Sequence, residues 1–212
     1  MVTFELKISI ILEVSNSSNL VAKRSNSSNI KGTENKVNMK SFMLFIAFMG
    51  IATLGGQEIS EAKSSVSFTI GNMRINTAEG TFTGMKGKVD FDKKNLKASS
   101  FSVTIDAATV KTDSEKRDNH LKNKDFFDVK KYPTITFKSS AVVRSKKEGY
   151  HIAKGKLTMH GVTKDVKIPF TYGNKIFKGR LKVKRLDYGV GADTGTFMVS
   201  DEAVINITCV TE

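Results

Sequence analysis

The chain has 212 residues, enough for one large β domain or for one domain with extensions. It is 39% hydrophobic and 26% charged, the balance of a folded protein, and its formal net charge of +13 draws it toward anionic partners such as membrane surfaces. A single cysteine, Cys209, excludes an intramolecular disulfide and any metal site built on cysteine.

Residues 1–38 repeat the string SNSSN and hold no sustained apolar period. They read as a disordered leader, one that a translation start at Met39 would leave out. Residues 39–62 read as a signal peptide. Met39 and Lys40 open it with a positive charge, and an apolar run ending at Leu54 follows, too short to cross a bilayer. Ser60 and Ala62 then offer small residues for cleavage. On this reading the folded domain is 63–212 and is exported, to a periplasm or beyond.

From Lys63 onward the hydrophobic period is two. VSFTI aligns Val66, Phe68 and Ile70; GKVDFD aligns Val89 and Phe91; SFSVTID aligns Phe101, Val103 and Ile105. The pattern returns in TITFKS with Ile135 and Phe137, in VKIPF with Val166, Ile168 and Phe170, and in RLKVKR with Leu181 and Val183. It ends in AVINITC with Ala203, Ile205, Ile207 and Cys209. Short one-sided strands separated by turn signals predict an all-β fold, an antiparallel barrel or sandwich. Pro133 falls at a strand start and Pro169 inside a late strand, where an edge or a bulge would tolerate the missing N–H.

One segment breaks the rhythm. TDSEKRDNHLKN, 112–123, lacks β-branched residues after Thr112 and carries the capping-box spacing Thr112-x-x-Glu115. It predicts a short helix over about 114–122, crossing one end of the sheet.

Signals for chemistry are few. His120, His151 and His160 are scattered, with no metal-ligand spacing, and no cofactor is expected. GVGADTG, 189–195, has no apolar-periodic helix after it and reads as a hairpin turn rather than a phosphate loop. Cys209 shares a face with Ile205 and Ile207, the place of a small buried hydrophobe. The lysines lack interleaved aromatics, which argues against nucleic acid. Oligomeric state is left open, a homodimer included. Arg117, Asp118 and His120 could form a catalytic cluster. They read better as a structural latch fastening the helix, with Phe126 and Phe127 plugging the barrel below.

RDNHLKNKDFFDVKKYPTITF resembles the central signature of the YceI-like family, through Arg117, Asp118, His120, Leu121, Phe126, Phe127, Asp128, Tyr132, Pro133 and Phe137. GKLTMHGVTKDV, 155–166, and RLDYGVG, 185–191, are similar to two further motifs of that family, so the likeness spans about 64–210. The resemblance implies a secreted, non-enzymatic protein, an elongated antiparallel lipocalin-like barrel of about eight strands, that carries or sequesters an isoprenoid lipid or quinone. The residues expected to line its interior are Phe68, Ile70, Phe101, Val103, Ile105, Phe126, Phe137, Leu157, Ile168, Phe170, Ile205 and Ile207. Two rivals stand beside it. One is a lipid-modifying enzyme using Arg117, Asp118 and His120 in the same cavity; the other is a packed barrel acting through its basic surface.

Overall fold

The computed structural model describes residues 56–72 and 76–212. The leader 1–38 and the apolar run up to Leu54 lie outside the described residues. Strands follow one another almost without interruption: β1 (Gln57–Glu58), β2 (Ser65–Asn72), β3 (Asn76–Phe82), β4 (Lys86–Asp90), β5 (Ser100–Asp106) and β6 (Lys111–Thr112). Helix α1 (Glu115–Lys122) comes next, then β7 (Thr134–Arg144), β8 (His151–Met159), β9 (Val162–Gly173), β10 (Ile176–Lys184) and β11 (Val199–Val210). All pair antiparallel in one sheet of order β1-β4-β5-β7-β8-β9-β10-β11-β2-β3-β6. Among the described residues the strands number eleven rather than about eight, because two-residue β1 and β6 extend the sheet at its edges.

Two irregularities bend this sheet into a half-barrel: register shifts at Ser139/Ala141 in β7 and at Val199/Ala203 in β11. At the first, the Phe101 N–H donates to the Ser139 hydroxyl at 2.8 Å, so the side chain takes the place of a missing rung. The ends are sewn by β1. Ile59 bridges Thr211 and donates its N–H to the Gly87 carbonyl at 3.0 Å, while the Thr211 hydroxyl donates to Gln57 Oε1 at 2.8 Å. With Ile59 only 7% exposed and Ser60 8%, residues before 63 pack into the described fold. The expected cleavage after Ala62 would remove a strand and a core residue.

Pro169 lies in an interior strand, with β8 paired along its whole length on one side. On the other side β9 and β10 share rungs only from Gly173–Ile176 to Phe170–Gly179. The ladder stops where the N–H is missing, so the sheet accommodates proline by letting two neighbours part.

Helix α1 forms close to its expected position, but its cap differs. Ser114, not Thr112, is the N-cap, its hydroxyl accepting from the Arg117 N–H at 3.4 Å. GVGADTG is not a hairpin turn either. It belongs to a longer connection from β10 to β11 that opens with a 3-10 turn, Arg185–Tyr188, capped by Gly189 at φ 70°. The β8–β9 turn is the tight one: His160 and Gly161 both have positive φ, 51° and 76°, as a two-residue hairpin loop requires.

Candidate functional site

The period-two pattern turns one apolar face of every long strand inward, and the two faces do not meet. Between them lies a cavity of about 230 Å³. That is far more than the roughly 10–15 Å³ one water needs, so it is not a packing defect. All twelve residues expected inside line it: Phe68 and Ile70 from β2, Phe101, Val103 and Ile105 from β5, Phe126 below the helix, and Phe137 from β7. Leu157 of β8, Ile168 and Phe170 of β9, and Ile205 and Ile207 of β11 complete the set. Along β10 the lining runs from Phe177 through Gly179 and Leu181 to Val183, about 20 Å at roughly 3.3 Å per residue. The space is long and narrow.

Aromatic rings close one end. Phe91 packs against Phe101, Phe170, Tyr172 and Phe177 at centroid distances of 6.4, 5.5, 5.0 and 5.4 Å, mostly edge to face. His151 stacks on Phe170 at 5.5 Å, and its Nδ1 is buried with no hydrogen-bond partner. Burial, then the charges of Lys93 and Arg144, hold its pKa below the ordinary value, so the ring is neutral near pH 7. Cys209, which also lines the cavity near this end, has its thiol pushed up to about 11 by burial, a value for an inert thiol.

The opposite end is organised by Arg185, which is 5% exposed. Its Nε donates to the Ser200 carbonyl at 3.0 Å and its Nη2 to those of Thr194 and Val199 at 2.7 and 2.9 Å. Its Nη1 donates to the carbonyls of Val190, at 2.9 Å, and Gly191. Five N–H donors meet five backbone carbonyls, the full capacity of a guanidinium. Gly191 makes this possible: at φ 62° it turns its backbone close under both Arg185 and Phe126, where a Cβ would collide. From the β8–β9 turn, the His160 Nδ1–H donates to the Tyr188 carbonyl at 3.0 Å and ties the same connection to the sheet.

The expected latch is therefore at a different residue. Arg117, Asp118 and His120 do not converge, because each turns to a partner of its own. Arg117 is at the surface, paired with Asp113 at 2.9 Å. His120 lies against the Phe126 ring at 4.9 Å, with Asp125 at 3.9 Å. Only Asp118 is a buried tie: the N–H and hydroxyl of Thr112 both donate to its Oδ1 at 2.6 Å. The Thr112 hydroxyl above all holds this carboxyl below its usual range. None of the three lines the cavity, and among the described residues no cluster of potential metal ligands occurs. Arg185 was visible in RLDYGVG, but backbone acceptors leave no side-chain pattern to pair it with.

Residues 57–211 match the model of the YceI-like domain, nearly the whole described fold. The chain belongs to the YceI-like family. It is 32% identical over 177 residues to a UPF0312 protein of Ectopseudomonas mendocina, covering 75% of this chain and 92% of that one. Protein YceI of Salmonella newport is 33% identical over 67% of this chain and 78% of its own. Among solved structures, Burkholderia cenocepacia BcnA superimposes with a TM-score of 0.67 at 31% identity, over 73% of this chain and 99% of its own. A polyisoprenoid binding domain from Saccharophagus degradans shares the fold, with a TM-score of 0.57 at 13% identity over 73% and 98% of the two chains.

Proposed function

We propose that this YceI-like protein is an exported, non-enzymatic binding protein that holds the chain of an isoprenoid lipid or quinone inside its half-barrel. The observation that carries the proposal is the cavity, about 230 Å³ and lined almost wholly by apolar side chains. At about 24 cal/mol per Å³, leaving such a space unfilled forfeits roughly 5 kcal/mol, comparable to the net stability of a domain. A sequence that only had to fold would pack it. Its narrow length suits a chain rather than a compact ring system. Each buried CH₂ contributes about 0.8 kcal/mol, so ten carbons supply roughly 8 kcal/mol against association costs of several.

The rival readings find less support. The cavity argues against a barrel that is merely packed. Arg117, Asp118 and His120 lie off its lining and point different ways, so they do not form an acid–base set facing a bound lipid. The polyisoprenoid named for the Saccharophagus domain agrees in chemical class with what this cavity would accept.

The test is uptake. Protein stripped of lipid in organic solvent and refolded is titrated with a fluorescent polyprenyl probe. Saturable binding that Phe137→Lys abolishes in folded protein supports the reading; binding unaffected by that charge overturns it.

A further inference from the structure

The cavity has no place for a polar head group. Its strongly polar lining consists of Thr136 and Arg185, and every N–H of Arg185 already serves a backbone carbonyl. A head group drawn inside would lose its water without gaining a charged partner. It must stay outside, and the chain behind it must cross the wall.

The wall is uneven. β8–β9 and β10–β11 are paired from end to end, from His151–Phe170 to Met159–Val162 and from Ile176–Val210 to Lys184–Glu202. Between β9 and β10 the rungs stop at Phe170–Gly179, beside Pro169. Beyond that point the strands run on unpaired until His160 meets Tyr188 at 3.0 Å. The cavity reaches both lips of this split, through Ile168 on one side and Leu181 and Val183 on the other. The turns joining the edge strands of the sheet are shut by comparison, with Met85, Ala107 and Val110 exposed by 1, 1 and 2%.

The outer lips are cationic. Lys167 on the outer face of β9 and Arg180 and Lys184 on that of β10 are exposed, and none is ion-paired among the described residues. Two acids on the same outer face are compensated, Asp165 by Lys156 at 3.3 Å and Glu202 by Lys182 at 2.6 Å. We infer that the β9–β10 split is the passage for the ligand, with the isoprenoid tail inside and an anionic, phosphate-class head group held outside by these three cations. The inference rests on the lipid-binding reading and adds the route and the head-group charge.

Extending the β9–β10 register sets Lys167 opposite Lys182 on the outer face. The variant Lys167→Cys/Lys182→Cys, bridged by a short bifunctional thiol reagent, closes the split; buried Cys209, its thiol pushed up to about 11, does not compete. Bridged protein should load geranylgeranyl monophosphate at least about tenfold more slowly than the same protein unbridged, as expected when a gate is fixed. A bridge between Lys138→Cys and Lys156→Cys, register partners on the β7–β8 ladder, should leave the rate unchanged. Lys167→Glu/Arg180→Glu should weaken the monophosphate about tenfold or more relative to geranylgeraniol, a loss that shrinks in high salt. Loading at the unbridged rate, or equal weakening of both probes, overturns the inference. Uptake of neither probe by the unmodified protein overturns the lipid-binding reading and the passage with it.

Discussion

The guanidinium of Arg185 reaches the carbonyl of Val199, 2.9 Å away, and so ties the end of β10 to the start of β11 across the whole connection between them. Four more carbonyls of the same stretch share that cation, so one side chain shapes this end of the cavity. Arg185→Ala should therefore lower stability by about 3 kcal/mol or more, since five backbone carbonyls lose a charged donor at once. Arg185→Lys should recover little, because an ammonium cannot present five donors in a plane. Denaturant unfolding of the variants, with hydrogen exchange at 189–199, reads both effects. Unchanged exchange in that stretch would contradict the role.

At the aromatic end the exception is His151, whose Nδ1 is buried without a partner. His151→Phe should raise stability by about 1 kcal/mol, because the orphaned acceptor is removed and the ring packing on Phe170 stays. The ring's pKa is lowered in the folded state, so the unfolded chain binds the proton first. That contribution is fully present above the unfolded value near 6.5 and declines as pH falls below it. As pH falls below about 6.5, the wild-type protein should lose stability that the phenylalanine variant keeps. Parallel pH profiles of the two would refute this.

The start of the fold gives a third prediction. Protein beginning at Gln57 should be fully stable, whereas protein beginning at Lys63 loses β1 and Ile59. Burial of Ile59 alone is worth roughly 1.5–3 kcal/mol, and the backbone bonds to Gly87 and Val210 add to it. If the chain is exported through residues 39–62, its mature N-terminus should fall at or before Gln57. N-terminal sequencing of exported protein checks this, and a start at Lys63 would contradict it.

Much of this architecture was legible because strand side chains alternate whatever their partners are. Phe101, Val103 and Ile105 had to share a face in any strand, and that face is the cavity wall. β1 was hidden because Gln57–Glu58 is too short to show a period and adjoins an apolar run with its own explanation. Arg117 drew attention through its neighbours in sequence, yet a helix turns adjacent residues about 100° apart, and the partner of Asp118 came from Thr112 before the helix. The effect of Pro169 was open too: proline announces a missing rung, and only the topology shows that β10 is the strand that parts.

Filling the cavity gives a fourth prediction, one that does not disturb the ends. Ala203 lines the space beside Ile205 on β11. Ala203→Phe should keep the fold and stability within about 1 kcal/mol, since the ring enters existing space, while shortening the longest chain the protein accepts. A series of polyprenols of increasing length reads the cutoff. An unshifted cutoff in folded protein would place the chain elsewhere.

Native mass spectrometry of protein purified from its source organism without detergent tests the central claim most directly. A bound mass matching an isoprenoid lipid or quinone, lost on extraction and absent from folded Phe137→Lys, is the predicted result. Ligand-free wild-type protein that also takes up no isoprenoid or quinone after exposure to a total lipid extract would contradict it.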